Sequence, residues 1–411
     1  MTAPGCPIDI LSPEFLTDPY QFFPALRSKY PVMADPVTGG YFISRHADVR
    51  AVLSDNERFT TESLTQRAQP VMCGRVLAQM TGKEHTNKRK IVIRGISGKG
   101  LSDQYGSMIR RNAHELIEPF LDQGRVDLVE DFGKKFAVYV TLDLLDLPKS
   151  DWEDILTWHS GVAEFITSLR MSDEEREHSL RCSQQLAEYL TPIIERKRRY
   201  PGGDYMSALC SAEVDGMQMS TNDILALCMN ILLAATEPAD KTLALLFHHL
   251  LDRPDDLNRV RADRSLISAA LAETLRYTPP VQVIPRKVGS GVTDAEIAGY
   301  PVDPGTMVFC LTGPANRDPS AFTAPDTFDI DRTDMETARS FSAAADHVAF
   351  GTGMHYCIGA AFARVELEEV TNLLLDLLGD IEYEPGFTYR ETGLYTRGPE
   401  ALHLRFTPPP M

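Results

Sequence analysis

The sequence contains no hydrophobic stretch that approaches the roughly 18 apolar residues needed by a membrane-spanning helix. Residues 1–16 also lack a basic segment followed by an apolar one, which argues against a secretory signal peptide. We therefore expect a cytoplasmic protein with no membrane partner.

Basic residues are also fewer than acidic ones. The 41 lysines and arginines face 58 aspartates and glutamates, and the formal net charge is −17. Nucleic-acid phosphates repel such a chain, so general nucleic-acid binding is excluded. The stretch from Lys83 to Arg111 is the exception, since eight basic residues lie there beside two acidic ones. Two interpretations of this stretch stay open: a solvated helix face, or a docking patch for an acidic partner.

Paired cysteines are missing. The seven cysteines form an odd number, their spacings are long, and no Cys-x-x-Cys occurs. This pattern argues against a disulfide framework or a zinc site and favours a reducing compartment.

The order of local signals predicts a mainly α fold with a smaller β-rich part, within one domain over residues 1–411. The strongest helix signal runs from Thr221 to Asp252, with a capping box at Ser220-x-x-Asp223. Such a helix is about 45–50 Å long and crosses a whole domain. Residues 60–82 look irregular, residues 279–309 look like short strands, and a last helix is predicted over residues 358–378.

The segment Phe350-Gly-Thr-Gly-Met-His-Tyr-Cys-Ile-Gly359 carries the strongest chemical signal. Its glycines allow a sharp turn and a close approach to a flat ligand. Cys357 stands directly before the last helix, where free N–H groups lower the pKa of a thiol. Its thiolate would be an electron-donating metal ligand, and the alternative is an inert buried cysteine.

Further upstream, Glu273 and Arg276 form an E-x-x-R pair on one helix face. Together with the cysteine segment, this pair resembles the cytochrome P-450 family of haem-thiolate monooxygenases, in particular the soluble bacterial type. The resemblance implies the P-450 fold, in which a long central helix crosses over a buried haem b. It also implies that Arg332 joins Glu273 and Arg276 to hold the cysteine loop.

The resemblance assigns a set of residues to the haem. Cys357 is the expected iron ligand. Propionate contacts are expected from two residues on one helix face, His85 and Arg89, and from Arg286 and His355. The remaining expected cofactor-binding residues are Phe350, Gly359 and Ala235.

A lipophilic substrate pocket is expected above the haem, lined by segments that are far apart in sequence. By resemblance the candidates are Leu64, Val71, Met72, Val76, Phe165, Ile166, Leu169, Ile231, Ala234, Val281, Val283, Ile284, Leu394 and Tyr395. Any single one of them is equally explained as plain core.

The long helix departs from the family pattern. The family has an acid followed by a threonine near a kink, whereas here Glu237 is followed by Pro238. Proline kinks or opens a helix, so the kink of the family is expected here. The threonine hydroxyl of the family is missing. Several interpretations stay open. Thr236 supplies the hydroxyl, a substrate hydroxyl or an ordered water replaces it, or the enzyme has given up dioxygen activation. In the plainest interpretation, Pro238 only shapes the helix and activity is normal. Glu237 is the candidate for proton relay, and Asp240 is the alternative acid.

The expected function is insertion of one oxygen atom from dioxygen into a small hydrophobic molecule of secondary metabolism. No nicotinamide or flavin domain fits in this chain, so NAD(P)H would act only through a ferredoxin reductase and a ferredoxin, and the chain is expected to be a monomer. Two alternatives stay open: a peroxide-driven or non-oxygenating haem-thiolate enzyme, and a haem-based sensor.

Overall fold

A computed structural model describes residues 8–36, 38–168 and 171–409 of the chain. Helices make up most of it, as the sequence predicts. They are α1 (Pro13–Thr17), α2 (Phe23–Ser28), α3 (His46–Ser54), α4 (Ser63–Arg67), α5 (Gly82–Ile93), α6 (Leu101–Leu121), α7 (Lys134–Leu145), α8 (Trp152–Thr167), α9 (Asp173–Arg199), α10 (Tyr205–Ser211), α11 (Thr221–Leu251), α12 (Pro254–Ala262), α13 (Ile267–Tyr277), α14 (Thr312–Asn316) and α15 (Ala360–Leu377).

The strands form the smaller part. They are β1 (Val32–Ala34), β2 (Tyr41–Ile43), β3 (Phe59–Thr60), β4 (Arg125–Asp127), β5 (Glu213–Val214), β6 (Met217–Gln218), β7 (Val283–Val288), β8 (Glu296–Ile297), β9 (Tyr300–Pro301), β10 (Met307–Leu311), β11 (Gly379–Tyr383), β12 (Glu391–Thr392), β13 (Gly398–Pro399) and β14 (His403–Thr407). A five-stranded sheet has the order β1-β2-β10-β7-β3, and a three-stranded sheet has the order β11-β14-β4. In the larger sheet, β10 pairs parallel with β2 and antiparallel with β7.

The long helix α11 is the axis of the fold. Its predicted capping box is present, because the Ser220 hydroxyl accepts from the Asp223 N–H at 3.1 Å while the Asp223 carboxylate accepts from the Ser220 N–H at 2.9 Å. The helix packs against α7, α8, α9, α13 and α15, and the main apolar core surrounds it. It continues through Pro238 as far as Leu251, so the proline does not open the helix into two.

Two sequence-based predictions of local structure need correction. Residues 60–82, predicted to be irregular, contain α4 and a 3₁₀ turn over Leu77–Gln79. The last helix begins at Ala360 and not at Ile358, because Gly359 takes the N-cap position. That shift leaves Cys357 in the loop, two residues before the helix cap.

A buried group of charges joins α13 to the segment that leads to the cysteine loop. Glu273 and Arg276 are both fully buried, and the Arg276 guanidinium donates to the two Glu273 carboxylate oxygens at 2.6 and 2.7 Å. Arg332 donates to the same carboxylate at 3.1 Å. Arg276 also donates to the carbonyls of Asn316, Pro325 and Thr327. The three predicted support residues are therefore in direct contact, and they tie irregular backbone to a rigid helix.

Candidate active site

The loop from Phe350 to Gly359 has the sharp turn that its glycines suggest. Gly351 and Gly353 have φ values of 68° and 73°, in the left-handed region. A Cβ atom on Gly353 would lie 2.9 Å from the carbonyl oxygen of Leu53, so α3 packs too closely for any side chain there. The Cys357 N–H donates to the Phe350 carbonyl at 3.0 Å and closes the loop. Cys357 keeps partial exposure, so its side chain borders open space.

The electrostatic surroundings of Cys357 correct one prediction. Burial raises the pKa of the Cys357 thiol above its usual range, although N–H donors of Gly359 and Ala360 and the nearby Arg89 guanidinium act in the lowering direction. The predicted donors at the helix start are present, but they do not offset desolvation by themselves. Arg89 and the two N–H groups therefore stabilise a thiolate at Cys357, but by less than burial destabilises it.

Arg89 holds the loop from the side of α5. Its guanidinium donates to the Tyr356 carbonyl at 2.8 Å, next to the cysteine. Phe350, at the other end of the loop, lies with its ring 6.2 Å from the Tyr356 ring and 5.6 Å from the Phe341 ring. The loop is thus fixed by a charged hydrogen bond and by aromatic packing.

The predicted propionate residues converge beside this loop. The rings of His85 and His355 lie 5.0 Å apart in a T-shaped arrangement. Burial, with Arg286, His85 and Arg89 nearby, lowers the pKa of His355 to about 4. Three buried polar atoms in this group have no hydrogen-bond partner among the described residues: His85 Nε2, Arg286 Nε and His355 Nδ1. Buried polar atoms normally have hydrogen-bond partners, so these three atoms are open to a ligand from outside the chain.

One face of α11 is open in the middle of an otherwise buried helix. Ala234 is exposed, and Ile231, Ala235 and Pro238 are partly exposed. These four positions recur at helical spacing and share one face. Because residues 224–229 and 242–247 on either side of this stretch are buried, the uncovered face lies in the interior of the helical region.

The acid and hydroxyl predicted for proton relay have other contacts. The Thr236 hydroxyl is buried and donates to the Leu232 carbonyl at 2.9 Å, within its own helix. The Glu237 carboxylate accepts from Lys241 Nζ at 2.7 Å and from the Thr396 hydroxyl at 2.6 Å. Burial acts upward on the pKa of Glu237, but Lys241 and Thr396 bring it below its usual range. Glu237 is therefore held as a carboxylate.

Asp240, the alternative acid, lies deeper. It is buried, its Oδ1 atom has no hydrogen-bond partner among the described residues, and burial raises its pKa to about 7. A Cβ atom on Gly133 would lie 2.2 Å from that oxygen, so the glycine makes room for the carboxyl group. Gly133 ends a π-helical segment, Leu128–Gly133, that packs on α11. Asp240 therefore faces away from the open face of the helix.

The predicted pocket residues divide into two groups. The partly exposed ones, besides those on α11, are Leu64, Ile166, Val281, Ile284 and Leu394, and the buried ones are Val71, Met72, Val76, Phe165, Val283 and Tyr395. Leu169 lies outside the described residues. Leu394 borders a cleft of about 1110 Å³ between α1, the end of α8 and the hairpin of β12 and β13.

Four contacts at the site escaped the sequence interpretation. Arg67 donates to the Ile166 carbonyl at 2.5 Å and lies 4.6 Å from the centre of the Tyr395 ring, so one side chain joins three pocket segments. The contact between Lys241 and Glu237 could have been predicted from the sequence, since Lys241 stands four residues after Glu237 on one helix face. The contact between Thr396 and Glu237 could not, because the two residues are 159 positions apart. Nor could the place of His159, which is buried on α8 near Glu237 with both ring nitrogens unpartnered among the described residues.

Comparison with known proteins agrees with this geometry. The Cytochrome P450 family model matches residues 132–377. The chain belongs to the cytochrome P450 family. It is 53% identical over 397 residues to pulcherriminic acid synthase of Bacillus subtilis (strain 168), a match that covers 97% of each chain. It is 31% identical to mycinamicin IV hydroxylase/epoxidase of Micromonospora griseorubida, over 88% of each chain. The crystal structure of CalO2 superposes with a TM-score of 0.84 at 27% identity, over 98% of this chain and 99% of that one.

The predicted family and enzyme class are therefore confirmed: this chain is a cytochrome P450 monooxygenase, in a family whose cofactor is haem. Within the described ranges, no three His, Cys, Asp or Glu residues form a group able to hold a bare metal ion. No helix of those ranges is long and apolar enough to cross a membrane.

The buried Asp240 makes stability depend on pH. A carboxyl with a raised pKa in the folded state favours folding fully only below its unfolded pKa, and that contribution is lost as the pH rises through about 7. Asp240→Asn should therefore increase the free energy of unfolding by about 3–4 kcal/mol more at about pH 8 than at about pH 4. Urea unfolding at both pH values measures the difference.

The exposed Glu118 on α6 offers a matched control. Glu118→Gln should leave the pH dependence of unfolding as it is in the wild type. An equal gain from Asp240→Asn at both pH values would show that burial does not disfavour the charged form of this carboxyl.

Proposed function

We propose that the cysteine loop holds the haem iron through Cys357, and that His85, Arg89, Arg286 and His355 bind the two haem propionates. The single observation that carries this proposal is the set of unpartnered buried atoms on His85, Arg286 and His355. Two carboxylates beside the loop would satisfy them and would neutralise the buried Arg286 and the partly buried Arg89.

The shape of the loop also suits a flat ligand. A Cβ atom on Gly359 would meet no atom within 4 Å, so open space adjoins the residue two positions after the cysteine. Phe350 and Cys357 belong to this loop, and Ala235 lies on the open face of α11. We infer that the haem lies between this face and the loop, with the substrate on the side of α11.

Bound haem supplies the redox chemistry that inserts an oxygen atom from dioxygen into the substrate. The chain itself provides an apolar space, formed by Ile231, Ala234 and Ala235, that excludes water from the substrate. Glu237 relays protons from solvent to that space once its carboxylate leaves Lys241 and Thr396. These two contacts therefore keep the relay closed in the resting protein.

Replacing the cysteine tests the ligand assignment. Cys357→Ala should abolish the long-wavelength Soret band that a thiolate ligand gives the reduced carbon monoxide complex, because residues 350–359 contain no second cysteine. Arg286→Leu should retain that band but release haem roughly 10-fold more readily, since one charged hydrogen bond is lost. Absorbance spectra and haem transfer to apomyoglobin measure the two effects.

The exposed Cys73 provides the control, and Cys73→Ser should change neither quantity. A thiolate-type spectrum in the Cys357→Ala protein would contradict the assignment.

We further propose that electrons come from a ferredoxin that docks on the basic face of α5. Lys83, Lys90, Arg94 and Lys99 are exposed and have no ion-pair partner in the described part of the chain. Met354 of the cysteine loop is 41% exposed, and Arg89 connects its loop to α5. Unpaired cations on α5 and the segment after it, together with an exposed apolar side chain three residues before Cys357, suit an acidic redox protein.

The patch is smaller than the sequence suggested. Lys88 is buried and pairs with Glu84 and Asp223, while Arg89 faces the cysteine loop. Arg110 pairs with Glu369, and Arg111 lies 3.7 Å from Asp143. Only the four unpaired cations therefore remain for a partner.

Charge reversal tests the docking face. Arg94→Glu should slow electron transfer from an acidic ferredoxin by roughly 10-fold at low ionic strength, and the difference should shrink as salt screens the attraction. Stopped-flow reduction measures the rate. The control is Arg196→Glu, a charge reversal on α9. An unchanged rate for Arg94→Glu, or turnover with hydrogen peroxide alone as fast as with ferredoxin, would contradict this proposal.

We propose that the substrate belongs to secondary metabolism and that the reaction is the one named for the Bacillus subtilis relative, formation of pulcherriminic acid. Identity of 53% over 97% of both chains supports this step. Expression of this chain in a Bacillus subtilis strain that lacks its synthase should restore pulcherriminic acid, detected by mass spectrometry. The Cys357→Ala protein is the negative control, and failure of the expressed, haem-loaded wild type would reject the shared reaction.

A further inference from the structure

We propose that the substrate carries an N–H or O–H group that donates a hydrogen bond to the backbone carbonyl of Ala234, an acceptor that Pro238 leaves free. The inference rests on the proposed function, since it takes the open face of α11 as the substrate side of the haem. It goes further by naming the chemical class of substrate that this face selects.

The acceptor arises from the covalent structure of proline. In an α-helix, each N–H donates to the carbonyl four residues earlier. Pro238 lies inside α11 and has no N–H, so the Ala234 carbonyl lacks that donor. The proline ring also crowds the same carbonyl and tilts it away from the helix axis.

The exposed fractions along α11 decide which way this carbonyl faces. Ala234 and Pro238 both lie on the open face, together with Ile231 and Ala235. Residues on the other faces, such as Thr236 and Ala239, are buried. The freed acceptor therefore lies on the uncovered side of α11 and not on its packed side.

Nearby side chains do not take the place of the missing donor. The Thr236 hydroxyl donates to the Leu232 carbonyl at 2.9 Å, and the Thr242 hydroxyl donates to the Pro238 carbonyl at 2.6 Å. The Lys241 ammonium group donates to the Glu237 carboxylate. No side chain in the described ranges donates to the Ala234 oxygen.

A free acceptor on a largely apolar face selects for a donor. On the uncovered side of α11, Ile231, Ala235 and Pro238 are apolar. Glu237 and Lys241 are paired with each other, and the amide of the partly exposed Asn230 lies one turn before Ala234. A ligand that covers the carbonyl without pairing it leaves a desolvated acceptor unsatisfied, whereas a ligand with one N–H or O–H at that point satisfies it. The favoured class is a small hydrophobic molecule with a secondary amide or a hydroxyl group, in preference to its methylated counterpart.

Matched ligand pairs test this preference. We would measure dissociation constants, by the ferric Soret shift and by calorimetry, for N-cyclohexylacetamide against N-cyclohexyl-N-methylacetamide and for cyclohexanol against methoxycyclohexane. The amide pair tests an N–H donor, and the alcohol pair tests an O–H donor. In the wild type, the donor-bearing member of at least one pair should bind about 3- to 10-fold more tightly, the contribution of one neutral hydrogen bond.

Restoring the N–H should remove the preference. Pro238→Ala and Pro238→Val both supply a donor for the Ala234 carbonyl, and valine also keeps a side chain close to proline in size. In both variants the binding ratio should fall to within about twofold of unity. Folding is not at risk, since removing proline from a helix interior is favourable. Pro192→Ala, at a proline inside the long helix α9, is the control and should keep the wild-type ratio.

The outcomes separate this inference from the proposed function. A wild type without donor preference in either pair, or an equal preference in the Pro238 variants, would overturn the inference while the thiolate-type spectrum remained. A missing thiolate-type spectrum would instead overturn the haem assignment of Cys357.

Discussion

Buried positive charge beside the cysteine loop is the constraint on which this site depends. Arg89 and Arg286 approach the loop with His85 and His355, and no carboxylate of the described residues forms an ion pair with either arginine. Burial lowers the pKa of Arg286 and of both histidines, which is the response of cations that lack an anion. A ligand that brings two carboxylates resolves this imbalance, and it does so beside Cys357, whose side chain borders open space.

A buried network of charged side chains supports the cysteine loop. Glu273 is fully buried, yet its carboxylate accepts from Arg276, from Arg332 and from the Asp329 N–H. Breaking such a network by removing one partner costs several kcal/mol, about 3–5, because a charge is left buried and unpaired. The cysteine loop thus stands on segments that cannot shift independently.

Two carboxyl groups on helix α11 have pKa values that are shifted in opposite directions. Glu237 is stabilised in its charged form by Lys241 and Thr396, whereas burial raises the pKa of Asp240 three residues later to about 7. Between them, Pro238 removes one hydrogen bond and leaves the helix intact. On our proposal, proline at the position where the family pattern is expected to have threonine leaves a backbone acceptor in place of a side-chain hydroxyl.

Local sequence determined the features that depend on neighbouring residues: the capped helix α11, the tight turn around Gly351 and Gly353, and the position of Cys357 just before a helix. Only the tertiary structure decided which groups meet across the chain. Thr396 reaches Glu237 over 159 residues, Arg67 joins Ile166 to Tyr395, and Lys88 turns inward to Asp223. The physical reason is that helix spacing and turn geometry are set by covalent structure within a few residues, whereas burial and partner choice are set by how distant segments pack.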